Sequence, residues 1–254
     1  MKALVLHLLF LSAGICPLVA QQSVCTLNGK NSPKSNFEPG AGNAITGDSD
    51  VFNGGGPYNA VSFGNDSDTS GNEVAVNGVS FYMIPSQKDS VTHEKDGIRI
   101  SHSCAVDRFP TSSNQPPFSE LSPGYRAILG YSTVRISTTE DGDKKTGQKY
   151  YTVSGLSSER KYRIQIWCND SRPPQEGEGK SARRTWMGGF ESSCPFKYED
   201  GSTDRIYVYS NRTFMPLGGE LGSYFDGILQ DVVDGKFGFI TGGIVNAINV
   251  QELP

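Results

Sequence analysis

Between Ile45 and Val250 the chain repeats one pattern: short runs of alternating apolar and polar residues, each closed by a cluster of Gly, Asn or Asp. A period of two puts every second side chain on one face, so such a run covers a core when it is a β-strand. The runs at 58–63, 74–83, 98–103, 149–153, 162–168, 205–210, 227–232, 236–240 and 244–250 are the candidate strands. They do not alternate with helical segments, which argues against strand–helix units and for an all-β sandwich or barrel. Within 74–83, Asn77-Gly78 fits either a two-residue hairpin turn or a bulge in one strand.

One short helix is expected. Leu121, Tyr125, Ile128 and Leu129 recur at helical spacing, Ser122 sits where an N-cap belongs, Pro123 occupies the first helical position and Gly130 provides a stop. The run 162–168 places Tyr162, Ile164, Ile166 and Cys168 on a core face, and Arg163, Gln165 and Trp167 on a face toward solvent or a covering loop. Gly155-Leu156 followed by Tyr162 is also how a tyrosine corner is built, although the chain is too long for one such module and the pattern does not recur.

The N-terminus has the form of a secretory signal peptide. Lys2 precedes an apolar run at 3–15, and Cys16-Pro17-Leu18-Val19-Ala20 stands before Gln21-Gln22, which predicts cleavage after Ala20. That run is shorter than the ~20 residues a membrane span needs, and no later stretch is more apolar. The expected organisation is a signal at 1–20, a poorly ordered Asn/Gly/Ser/Pro-rich arm at 21–44, and one β-sandwich domain at 45–254, secreted to the extracellular side. The net charge of −4 with dispersed basic residues gives no stripe for nucleic acid.

Four cysteines follow the signal: Cys25, Cys104, Cys168 and Cys194. Outside the cytosol they predict two disulfides, for which three pairings are open. Cys168–Cys194 is favoured because both flank one loop region, with Cys25–Cys104 by elimination. No CxxC or HExxH spacing supports zinc. Asn65, Asn169 and Asn211 each begin an Asn-x-Ser/Thr sequon and are glycan acceptors if the secretory pathway is eukaryotic.

Several segments, taken in order, carry a resemblance. They are Gly47-Asp48-Ser49-Asp50-Val51, Asn59-Ala60-Val61-Ser62-Phe63-Gly64 and Val76-Asn77-Gly78-Val79-Ser80-Phe81, then Leu121-Ser122 with Tyr125 and Leu129-Gly130. Gly155-Leu156 with Tyr162-Arg163-Ile164-Gln165-Ile166-Trp167 follows, then Asn169-Asp170-Ser171-Arg172, Arg184-Thr185 and Val245-Asn246-Ala247-Ile248-Asn249-Val250. This series resembles the galactose-binding-like jelly-roll domains of planctomycete and related exported proteins. The closing pattern and the strand entering Trp167 are also similar to malectin-type sugar-binding domains. The resemblance implies a jelly-roll-like β-sandwich with one short helix and, by analogy alone, a sugar ligand.

Sugars are held by stacking on aromatic rings and by planar polar groups that hydrogen-bond adjacent hydroxyls. The candidate ligand-binding set is Trp167, Asn169, Asp170 and Arg172 with Arg183, Arg184 and Trp186 across the intervening loop. The competing reading has Asp170 pair with Arg172 or Arg184 as a brace while Trp167 packs beneath, and a glycan on Asn169 would crowd the site. Asp48 with Asp50, Asn65-Asp66 with Asp68, and Asp141 with Asp143 offer oxygens to Ca²⁺, but none matches an EF-hand loop, so no cofactor is expected. His93, His102 and Cys104 read more simply as satisfied surface histidines and a disulfide cysteine than as a metal or catalytic group.

No Gly-x-Ser-x-Gly elbow occurs, so catalytic residues are not assigned. The first expectation is a non-enzymatic extracellular module that binds a glycan or a cell-surface or matrix component through end loops. An adhesive or structural protein is the second, and a glycoside hydrolase with paired carboxylates is the least favoured.

Overall fold

The computed structural model describes residues 23–27, 42–63, 71–85, 91–103, 107–134, 136–138, 144–146, 149–173, 184–188, 196–198, 206–209 and 221–254. Two β-sheets dominate, one of nine strands and one of six. Tyr162–Cys168 lies centrally in the larger sheet, hydrogen-bonded antiparallel to Ser223–Gln230 on one side and to Ala247–Glu252 on the other. The order continues outward through Tyr58–Ser62, Val79–Met83 and Glu73–Val76 on one flank, and through Val24–Leu27 and Phe196–Tyr198 on the other. The smaller sheet runs Ile206–Tyr209, Arg184–Gly188, Lys236–Gly242, Lys149–Ser154, Ile98–Ser103, Val91–Lys95.

The two sheets face each other across one apolar core. Ile164, Ile166, Phe225, Leu229, Ile248 and Val250 come from the larger sheet, and Ile98, Ile100, Tyr151, Val153, Phe237 and Phe239 from the smaller. The alternation read from the sequence therefore closes into an all-β sandwich. Turn chemistry sets the registers. Asn77-Gly78 is a hairpin turn, with φ of +48° and +76°, and it joins Glu73–Val76 to Val79–Met83; a two-residue turn with both φ positive needs this kind of pair. The corner after Lys149–Ser154 also forms, with the Ser157 N–H donating to the Tyr162 hydroxyl at 2.9 Å.

A second core lies on the outer face of the larger sheet. Ala60, Val79, Phe81, Met83, Trp167 and Ala247 meet Ile45, Val51, Phe118, Leu121, Tyr125, Ile128 and Leu129 there. The helix Pro123–Leu129 supplies the last three, capped by Ser122, whose Oγ accepts the Tyr125 N–H at 3.1 Å. A Cβ on Gly124 would come within 2.6 Å of the Ala75 carbonyl, so the absent side chain lets the helix lie against Glu73–Val76.

Of the two readings of the outer face of the central strand, solvent or a covering loop, the structure shows the covered one. Trp167 is fully buried and Gln165 is 1% exposed. Gln165 accepts the Phe52 N–H at 2.8 Å and donates to the Asp50 carbonyl at 2.9 Å. Asn249 and Gln251 donate to the Phe52 carbonyl. Backbone groups of the covering 50–54 segment take up most of the polar half of the alternation, which offsets much of the cost of removing it from water; Asn249 Oδ1 is buried without a hydrogen-bond partner.

At residues 23–27 and 42–44 the expected arm is part of the sheet, while 28–41 lie outside the described residues. Val24–Leu27 and Asn43–Ala44 both pair with Ser223–Gln230 in the larger sheet. Cys25 is fully buried, so this four-residue run contributes to the core although it is too short to show a period.

Candidate functional site

A buried hydrogen-bond network lies where the helix ends against the exits of two strands. The last carbonyls of a helix lack partners within it. Here the Leu129 carbonyl accepts from Thr111 Oγ1 at 2.7 Å and from Asn246 Nδ2 at 2.9 Å. Asn246 Nδ2 also lies 2.9 Å from the Tyr131 carbonyl and from Thr111 Oγ1, and its Oδ1 accepts the Asn169 N–H at 2.6 Å. Asn169 Oδ1 accepts from the Ser171 hydroxyl at 2.7 Å, and Asn169 Nδ2 points at the Thr111 and Leu129 carbonyls at 3.3 and 3.4 Å. Thr111, Asn169, Ser171 and Asn246 are all fully buried.

A surface groove of about 460 Å³ opens next to this network and shares with it Tyr131, whose carbonyl lies 2.9 Å from Asn246 Nδ2. Its walls are the 112–119 segment on one side and the helix with Gly130 and Tyr131 on the other. Ser112, Asn114, Ser119, Arg126 and Tyr131 line it with polar groups, and Phe118, Pro123 and Ala127 with apolar ones. Phe118 is buried, while Tyr131 and Ala127 are half-buried and Arg126 and Asn114 are exposed. The side chains of Ser112, Asn114 and Ser119 make no hydrogen bond with another described residue, so their hydrogen-bonding groups are open to a ligand.

The helix wall is fixed from behind. The Ser122 hydroxyl donates to Asp48 Oδ1 at 2.6 Å, and the Tyr125 hydroxyl donates to Asp50 Oδ2 at 2.9 Å while accepting the Trp167 indole N–H at 2.9 Å. Burial, with the Asp50 charge beside it, pushes the Tyr125 phenol well above its ordinary pKa. Asp50 further accepts from the Thr46 N–H, the Thr46 hydroxyl and the Gly47 N–H at 2.7, 2.6 and 3.0 Å. The carboxylates of Asp48 and Asp50 thus fasten the helix to the sheet. Among the described residues no group of three or more His, Cys, Asp or Glu side chains is placed to hold a metal ion. Asn65, Asp66, Asp68, Asp141 and Asp143 lie outside the described residues.

The residues expected to converge on a ligand do not form one open concavity. Trp167, Asn169 and Asp170 are at most 1% exposed, and Arg172 forks Asp170 with both bonds at 2.8 Å. Trp167 sits on the outer face of the larger sheet beneath the helix. Trp186 belongs to the smaller sheet, where its neighbour Met187 faces the central core, so alternation turns Trp186 to the opposite outer face. The sandwich separates the two tryptophans, because their sequence spacing carried no information about which sheet each strand joins. Arg183 and the side chain of Arg184 lie outside the described residues.

Other sequence readings change as well. Asn169 is an interior group, so its amide is closed to a glycan in this fold; Asn65 and Asn211 lie outside the described residues. Cys25 and Cys168 are buried free thiols, with burial pushing Cys25 well up and Cys168 up to about 12; Cys104 and Cys194 lie outside the described residues. His93 is half-buried with Nδ1 2.8 Å from Asn59 Oδ1, whereas His102 is interior, with neither ring nitrogen hydrogen-bonded. The sequence signal for the groove is the Ser112-Ser113-Asn114 cluster set ahead of the helix, with Ser119 close behind.

No helix among the described residues is long and apolar enough to cross a membrane. No family model matches the chain, and no curated protein or solved structure matches it either.

Proposed function

We propose that the chain is an exported, non-enzymatic β-sandwich module that binds carbohydrate in the groove between the 112–119 segment and the helix Pro123–Leu129. The observation that carries this reading is the combination of open polar side chains with a half-buried aromatic, Tyr131, around one concavity of about 460 Å³. Sugar recognition asks for these two ingredients together, hydroxyl-matching donors and acceptors beside an apolar ring. The volume falls in the ~300–1,000 Å³ range typical of small-molecule sites. The buried amide network behind the groove supports preorganisation, since walls held by interior hydrogen bonds need little ordering when a ligand arrives. The signal-like N-terminus and the galactose-binding-like resemblance agree with export and with a sugar ligand.

The test is retention of the purified chain on a broad glycan array, repeated with Ser119→Trp, which fills the groove from a half-buried wall position. Retention that disappears in the variant, with an unchanged melting profile, supports the reading. An absence of retention on any glycan, or retention indifferent to Ser119→Trp, overturns it. Concentration-dependent self-association without sugar retention would instead favour the adhesive, structural reading.

A further inference from the structure

The groove holds a single cationic side chain, and that side chain stands apart from the other arginines whose side chains are described. Arg99 pairs with Glu94, Arg160 with Glu252, Arg163 with Asp226 and Arg172 with Asp170. Arg126, exposed on the helix wall of the groove, has no ion pair and no side-chain hydrogen bond among the described residues. Among the described residues no Asp or Glu lines the groove, although the chain as a whole carries a net charge of −4. The guanidinium, without a partner among the described residues, is therefore a local positive site in an acidic protein, with the open Ser112, Ser119 and Asn114 side chains on the facing wall.

Resting on the sugar-binding reading above, we propose that this groove selects acidic sugars of the uronate type, with Arg126 as the specificity-determining residue. A planar guanidinium matches a planar carboxylate through two parallel N–H···O bonds, a fit that a neutral hydroxymethyl group in the same place does not offer. The hydroxyls on the opposite wall then meet the ring hydroxyls of the sugar. At an exposed guanidinium, where solvent screens the charge, a bidentate contact of this kind is worth roughly three- to tenfold in affinity. The exposure of Arg126 makes the preference sensitive to salt.

The experiment is titration calorimetry on the full chain with two oligosaccharide probes of equal length and linkage, one ending in glucuronate and the other in glucose. The wild type is expected to prefer the glucuronate probe by about threefold or more, with the preference shrinking as salt rises. Arg126→Gln should bring the ratio close to one, and Arg126→Lys should retain part of it. Ser119→Trp should weaken both probes. Equal affinities in the wild type, both lost in Ser119→Trp, would defeat acid selection while leaving sugar binding in the groove intact. A glucuronate preference that survives Arg126→Gln would also defeat the assignment. Failure of both probes to bind, in a wild type that other glycans retain, would overturn this inference alone; failure of every glycan would overturn the sugar-binding reading with it.

Discussion

The side-chain oxygen of Asn246 accepts the Asn169 N–H at 2.6 Å, while the Asn246 amide nitrogen lies 3.3 Å from the Asn169 carbonyl. One buried side chain thereby takes over the backbone pairing just beyond the point where Tyr162–Cys168 and Ala247–Glu252 stop exchanging ladder bonds. The same amide reaches the Leu129 and Tyr131 carbonyls, so it ties both strands to the end of the helix.

Asn246→Leu keeps the volume and removes every one of these bonds. It leaves the Asn169 N–H and at least one carbonyl without a partner in the interior, each costing about 1–3 kcal/mol. The expected destabilisation is on the order of 3 kcal/mol, read as a lower urea midpoint at unchanged slope. A variant within experimental error of the wild type would show that water replaces the lost amide.

The burial of Asn169 makes a second prediction. Its Nδ2 faces two carbonyls in a space with no route to solvent, and a glycan there would displace Thr111 and the end of the helix. Glycopeptide mapping of natively folded chain made in a glycosylating host should find Asn169 unmodified. A fully occupied Asn169 in folded material would contradict the placement of the 169–171 segment.

Trp167 and Trp186 are the only two tryptophans of the chain, which allows each to be followed separately. In Trp186→Phe the remaining emission comes from Trp167, which is fully buried with its indole N–H bonded to Tyr125, and should resist acrylamide quenching. In Trp167→Phe the half-buried Trp186 should be quenched more readily. Trp167→Ala should cost about 3–5 kcal/mol, the range for removing a buried aromatic. Any loss of sugar binding in that variant would accompany loss of fold.

The contrast between these tryptophans shows which features were legible in the sequence. Alternation over Tyr162–Cys168 predicted the core face, and Ser122, Pro123 and Gly130 bracketed the helix, because strand period and capping are local properties. Alternation also states that Trp167 and Cys168 lie on opposite faces. It does not state what covers the second face, which depends on the 50–54 segment and the helix returning from more than a hundred and from about forty residues away respectively. The expected run 227–232 starts later than the strand Ser223–Gln230 for a related reason: Tyr224, Asp226 and Ile228 lie on a face that is itself partly covered, so no clean polar alternation marks the start of the strand. The groove escaped the reading because it is a relation between a loop and a helix wall, and neither carries a periodic signal.

Strand registers constrain the cysteine pairing that spacing left open. Cys25 is opposite Leu229, which is opposite Tyr162, so Cys168 lies six residues further along the same sheet, about 20 Å away at ~3.3 Å per residue. A disulfide requires Cα atoms within about 7 Å, which excludes Cys25–Cys168. Cys194 is two residues from Phe196, the direct partner of Cys25, and two residues of chain reach about 7 Å, too little to approach Cys168. If oxidation joins all four, the pairs are therefore Cys25–Cys194 and Cys104–Cys168, contrary to the spacing-based preference. Cys104 directly follows Ser103, whose partner Tyr150 adjoins Lys149, and the Lys149 charge acts on the Cys168 thiol. Peptide mapping of oxidised chain without reductant distinguishes the schemes, and a Cys168–Cys194 peptide would refute this register argument.

His102 predicts an acid-sensitive stability. It is 3% exposed, its ring meets Phe63 edge-on at 5.2 Å, and neither ring nitrogen has a hydrogen-bond partner. Burial, with the Lys149 charge adding to it, lowers its pKa from 6.5 to about 4. Between those values the unfolded chain binds a proton that the folded chain refuses, so folding loses stability as pH falls through this window. Below about pH 4 the folded histidine is protonated as well and its contribution levels off. The full drop corresponds to roughly 3 kcal/mol. His102→Leu removes this dependence, so the difference in unfolding free energy between variant and wild type should grow in the variant's favour from pH 7 downward and flatten near 4. Parallel pH profiles for the two chains would mean that the ring stays accessible to water in the folded state.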